Sequence, residues 1–133
     1  IRRGLYNKPI WLRLAFGASG HVARGLIAFH ALDGVTRSAI NLSYSQQWIH
    51  ACTNAGLTPI EVDRSLEPSK ARAVDGDSMK WVAMQALEKN GRKPVDCFYH
   101  KGEWGKEPMS WILGKNPQDV LDKARKGFGY YKR

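Results

Sequence analysis

Apolar positions along this chain come in short blocks that change period from one block to the next. Residues 10–16 (IWLRLAF) form a compact apolar run and read as a strand, whereas residues 21–32 (HVARGLIAFHAL) are apolar on more than one side, as a buried helix would be. Residues 36–42 (TRSAINL) read as a short strand. Ser45 then offers an N-cap, Trp48, Ile49 and Cys52 make a helical face, and Gly56 offers a stop. A further strand is expected over residues 58–62, followed by an irregular polar loop over 64–77 with a short helical turn. Ser78 is expected to cap the next helix, because Met79, Val82, Ala83, Ala86 and Leu87 recur at helical spacing before Gly91 ends the pattern. Two strands, 95–100 and 110–114, lie close enough in sequence to form a hairpin. Asn116 and Pro117 open a last helix whose apolar face is Val120, Leu121 and Ala124, and Gly127 is expected to close it.

Strands alternating with helices predict a layered α/β domain, and the hairpin predicts a mixed sheet. The length of 133 residues fits one domain spanning 1–133. A composition of 43% hydrophobic and 25% charged residues is that of a globular chain, not a disordered one. Cys52 and Cys97 lie inside apolar patterns without a CxxC pair, so both are expected to be buried free thiols. With no signal peptide and no apolar run near the roughly 20 residues of a membrane span, the expected compartment is the cytoplasm, with no membrane partner. The first residue is Ile1, read as the start of a piece of a longer chain with an N-terminal neighbour. A net charge of +9 suits an anionic partner, and the basic run Lys123, Arg125, Lys126, Lys132 and Arg133 is expected to be a solvated face.

The chemistry concentrates in a few turns. Phe16-Gly17-Ala18-Ser19-Gly20-His21 joins an expected strand to an expected helix. Small residues let a ligand approach the backbone, and the first N–H groups of a helix make an anion site. Ser19 adds a hydroxyl donor and Arg24 can reach back with its fork. The same residues serve equally well as a plain tight turn with Ser19 as N-cap, and the GK[ST] ending of a Walker A loop is absent. His21, in the first turn, can donate to a phosphate as neutral imidazole or simply cap and pack, whereas His30 and His50 read as structural or exposed. After the 58–62 strand, Asp63 and Arg64 either pair with each other or serve a phosphate and a cation. Lys106 and Glu107, in the turn before the 110–114 strand, read alone as a solvated pair. Asn41 and Tyr44 close the second strand, where polar groups read a heterocycle or form a turn.

Taken together, FGASGHVAR (16–24), NLSYS (41–45), DRSLEP (63–68) and GEWGKEPM (102–109) resemble the archaeal-type thiamine-phosphate synthase domain, ThiN. The resemblance implies a three-layer α/β/α fold with a mixed sheet, similar to the class II aldolase (AraD-like) architecture. It implies coupling of hydroxymethylpyrimidine diphosphate to hydroxyethylthiazole phosphate, giving thiamine phosphate and diphosphate, with Mg²⁺ as the expected cofactor. Its metal ligands are unknown. The implied phosphate and substrate contacts are Gly17, Ala18, Ser19, Gly20, Arg24, Asn41, Tyr44, Asp63, Arg64, Lys106, Glu107 and Met109. His21 and an upstream arginine, Arg3 or its neighbour Arg2, are the implied catalytic residues. Members are commonly fused behind a hydroxymethylpyrimidine phosphate kinase domain, and a homodimer is compatible with the pattern. Two positions depart from it: an acidic residue is implied where His100 stands, and a serine or other small polar residue where Gly20 stands.

The competing function is a thiamine-phosphate sensor, because the same domain follows a helix-turn-helix DNA-binding domain in thiamine-responsive repressors. Retention of His21 favours the enzyme. Direct nucleic-acid binding by this domain is not expected, since no RRM, KH or HTH signature is present.

Overall fold

A computed structural model of the chain describes residues 2–3, 9–10, 19–69 and 77–131. Strands β1 (Arg2–Arg3) and β2 (Pro9–Ile10) form a short antiparallel ribbon, with Arg3 opposite Pro9. Of the strand expected over 10–16, only Ile10 lies among the described residues.

The body of the domain is a four-stranded sheet in the order β3 (Ser38–Ser43), β6 (Met109–Gly114), β5 (Cys97–His100), β4 (Pro59–Glu61). β6 runs antiparallel to both β3 and β5, while β4 runs parallel to β5. The expected hairpin and mixed sheet are therefore present. Among the described residues these helices accompany the sheet: α1 (Gly20–Asp33), α2 (Gln46–Asn54), α3 (Asp77–Lys89) and α4 (Pro117–Tyr130). Their starts follow from local chemistry. The side chains of Ser19, Ser45 and Asn116 accept from Val22 N, Trp48 N and Asp119 N respectively, each satisfying a first-turn donor.

Alternation along the central strands divides the core in two. Phe98, Trp111 and Leu113 pack with Phe29 of α1 and Met79, Val82, Ala83 and Ala86 of α3. Cys97 and Ile112, one residue out of phase, pack with Trp48, Ile49 and Cys52 of α2 and Val120 of α4. The sheet is thus the middle of three layers. Trp111, Phe29 and Phe98 are essentially solvent-free, and each contributes roughly 2–3 kcal/mol of transfer free energy. Cys52 and Cys97 are buried free thiols, as expected.

Three expectations require correction. The last helix does not stop at Gly127 but continues to Tyr130, and Gly127 sits where a Cβ would come 2.7 Å from the ring of Trp48. Ser78 lies inside α3, which opens at Asp77, and its hydroxyl serves a loop residue instead of capping the helix. Lys123 is not part of a solvated face. It pairs with Asp96 at 2.8 Å and Asp119 at 3.3 Å and donates to Leu113 O at 2.8 Å.

Candidate active site

The parallel pair β4 and β5 ends at the same edge of the sheet where β6 begins and β3 ends, since His100 and Ser43 both oppose Met109. A cavity of about 420 Å³ opens there. Four segments line it. α1 supplies His21 and Arg24, the loop after β4 supplies Arg64, the start of α3 supplies Ser78 and Met79, and the β5–β6 hairpin supplies His100, Lys106, Glu107 and Met109. Two helices thus turn their first residues toward one space, and unpaired first-turn N–H groups carry partial positive charge.

Local structure aims these side chains. Arg24 folds back along the first turn of its own helix, so that a Cβ at Gly20 would stand 3.1 Å from its Nη1. That is the direction helical side chains lean. The ring of His21 meets Trp111 edge-on, with centroids 5.6 Å apart. The hairpin tip is a tight turn in which Glu103 N donates to Lys106 O at 3.1 Å and Lys106 N donates to Glu103 O at 2.7 Å. Gly102 begins it at φ +81°, and a Cβ there would meet Lys106 O at 2.6 Å. Only glycine combines that torsion with that approach, so Gly102 permits the tight turn that carries Lys106.

The floor is an ionic network. Arg64 and Glu67 are both buried. Glu67 accepts from Arg64 Nε at 3.0 Å, from Lys106 Nζ at 2.6 Å and from the Ser78 hydroxyl. Arg64 Nη2 also donates to Ser78 Oγ at 2.7 Å. Burial pushes the Glu67 carboxyl up, but its bonds to Lys106 and Ser78 and the charge of Arg64 outweigh this and hold it below the usual carboxylate range.

His100 is buried in the cavity wall, and its Nδ1 accepts from Gly102 N at 3.3 Å. A neutral ring accepting at Nδ1 carries its proton at Nε2. Burial, and then the charges of Arg64, His21 and Lys106, pull its pKa down to about 4 against the opposing effect of Glu67. In the unfolded chain the imidazole titrates near 6.5. Below that value the unfolded chain takes up a proton that the folded state refuses, so stability is full above about 6.5 and falls progressively as the pH drops to about 4. The urea midpoint is expected to fall from pH 7 to pH 4.5, and His100→Gln should flatten part of that fall. Equal slopes would assign the titration to another group.

The remaining expected site residues are distributed as follows. Ser19 caps α1 and Gly20 is its first residue, next to Arg24. Asn41 opposes Trp111 and so lies on the cavity face of the sheet. Tyr44 belongs to the other face, stacked on Tyr99 at 5.5 Å. Asp63 is exposed and caps a 3-10 turn (Arg64–Leu66), accepting from Ser65 N and Ser65 Oγ. Gly17, Ala18 and the side chains of Arg2 and Arg3 lie outside the described residues. Sequence reasoning left out Glu67 and read Ser78 and Met79 as a cap and a core position. The clue to Glu67 was its place in the DRSLEP block, four residues beyond the acidic residue that opens it.

The profile of "Thiamine-phosphate synthase ThiN" matches residues 6–126. The thiamine-phosphate synthase ThiN of Methanothermobacter thermautotrophicus is 38% identical over 117 residues, covering 88% of this chain and 61% of that protein. The bifunctional thiamine biosynthesis protein ThiDN of Methanocaldococcus jannaschii is 30% identical over 111 residues, 84% of this chain and 25% of its own length. The chain thus spans about three-fifths of the first relative and a quarter of the second. Among solved structures, the C-terminal domain of a phosphomethylpyrimidine kinase superimposes with a TM-score of 0.75 at 34% identity, over 84% of this chain and 62% of that one. By profile, by identity and by backbone, this chain belongs to the ThiN thiamine-phosphate synthase family.

Proposed function

We propose that the domain is a thiamine-phosphate synthase, joining hydroxymethylpyrimidine diphosphate to hydroxyethylthiazole phosphate. The observation that carries this reading is the convergence of Arg24, Arg64, Lys106 and His21 with the starts of α1 and α3 on one cavity. In the reaction the thiazole nitrogen uses its lone pair to bond the exocyclic methylene carbon of the pyrimidine. The bond from that carbon to the diphosphate oxygen breaks, and the electron pair leaves on the diphosphate. Catalysis then consists largely of orienting the two rings and stabilising charge that grows on the leaving group. Arg24 and the α1 N-terminus bind phosphate oxygens in this reading, His21 donates to one of them, and Met79 and Met109 offer an apolar wall to a ring.

Mg²⁺ fits the same picture. Such an ion is held by one or two carboxylates together with substrate phosphates, and Glu107 lines the cavity. When bound, it would neutralise diphosphate charge. The three layers support an AraD-like reading of the fold, and the phosphomethylpyrimidine kinase whose C-terminal domain superimposes on this chain supports a kinase unit as the neighbour that delivers the diphosphate precursor. A thiamine-phosphate sensor is the second reading, favoured by the imidazole of His100 where an acidic residue is implied.

The test mixes protein, Mg²⁺ and both precursors and follows thiamine phosphate as fluorescent thiochrome. Product formation supports the enzyme. Tight thiamine phosphate binding without product supports the sensor. Arg24→Ala is expected to weaken thiamine phosphate about tenfold and leave free thiamine unchanged; equal losses would make Arg24 structural.

A further inference from the structure

Glu67 joins three parts of the chain that are distant in sequence. Its side chain has no solvent exposure, yet it accepts from Arg64 in the loop after β4, Ser78 at the start of α3 and Lys106 in the hairpin. A buried carboxylate is tolerated only when donors satisfy it, and here two of the donors are cations that also line the cavity. A lysine ammonium is a compact charge on a flexible stem that loses roughly 2 kcal/mol of rotamer freedom when fixed. The Lys106 ammonium is tied to the cavity floor by its 2.6 Å bond to Glu67. Arg64 is oriented twice, through Nε to Glu67 and through Nη2 to Ser78.

We propose that Glu67 is a positioning residue: it contacts no ligand but holds Arg64 and Lys106 in place at the cavity, where they meet the oxygens of a diphosphate. This rests on reading the cavity as a phosphate site. It makes a prediction opposite in sign to simple electrostatics. A negative charge beside an anion site repels the anion, so if Glu67 were only a nearby charge, its neutralisation would tighten diphosphate binding. If it positions the two cations, neutralisation loosens binding, because both cations bond the same oxygen of Glu67 and a neutral amide oxygen holds them more weakly than a carboxylate does.

The probe is inorganic diphosphate, titrated calorimetrically into the full chain, alongside KM for the pyrimidine diphosphate precursor. Glu67→Gln is expected to weaken diphosphate about tenfold and raise that KM in step. Glu67→Asp keeps the charge and withdraws it by one methylene, which guards against a folding failure of the first variant. It should weaken diphosphate by about threefold. In a Lys106→Gln background the effect of Glu67→Gln should shrink, since one of the two oriented cations is already gone. Tighter or unchanged binding in Glu67→Gln, or unchanged binding in Glu67→Asp, would overturn the proposal while leaving the cavity a phosphate site. A parent protein that does not bind diphosphate would overturn both.

Discussion

Alanine at position 21 is expected to lower the rate of thiamine phosphate formation by about 100-fold or more, with thiamine phosphate affinity staying within a few-fold of the parent's. The asymmetry follows from where charge develops. In the bound precursor the bridging phosphate oxygen carries little charge. As the bond to carbon breaks, that oxygen gains nearly a full one, and a hydrogen bond to it strengthens in the transition state more than in the ground state. His21 lies in the first turn of α1, in the same cavity as Arg24, Arg64 and Lys106, and its ring rests edge-on against Trp111. The cations are already charged and act on bound phosphate from the start, so their loss should appear largely in KM. Loss of the His21 donor should appear in kcat. Steady-state kinetics on His21→Ala, with calorimetry on the product, separate the two. Equal turnover in variant and parent would remove His21 from the chemistry, and equal losses in turnover and product affinity would make it a binding residue.

What was legible in the sequence depended on how local its cause was. Ser45 and Asn116 read as caps because a cap is settled within four residues. The edge-on approach of His21 to Trp111 joins residues from α1 and β6, and no pattern in either segment announces it. Gly127 shows the converse error. A glycine near the end of an apolar pattern is locally a stop signal, but this one is there because Trp48 needs the space. Ser78 was read as a cap for the same reason, and its partners are Glu67 and Arg64 across the cavity floor. Glu67 stands between Leu66 and Pro68 with no periodicity to mark it, and its importance lies in a bond to Lys106, which only the hairpin brings near. Tyr44 illustrates the value of register. Strand alternation sends Leu42 and Tyr44 to the face opposite Asn41, which the list of residues at a strand's end does not reveal.

The largest effect on stability is expected at Gly25. This residue is buried on the sheet-facing side of α1, and a Cβ there would stand 2.6 Å from Trp111 Cη2, 2.8 Å from Trp111 Cζ3 and 2.8 Å from Met79 Cε. The methionine methyl can swing aside. Trp111 cannot, because it is fully buried and held against Phe98, with ring centroids 5.3 Å apart. Gly25→Val therefore overpacks the interface and should destabilise the domain by about 3 kcal/mol, despite the modest gain in helix propensity. Both clashing carbons of Trp111 belong to the outer ring of the indole, which phenylalanine lacks. Trp111→Phe alone leaves a void and should lose about 2 kcal/mol. Combined, valine fills that void, and the double variant should be no less stable than Trp111→Phe, a coupling of about 3 kcal/mol measurable by urea denaturation. Additive losses would mean that Gly25 is required for a reason other than room for the indole. Because the same indole supports the edge of His21, Gly25→Val should also lower turnover under conditions where it remains folded, through displacement of the histidine and not through any contact of position 25 with substrate.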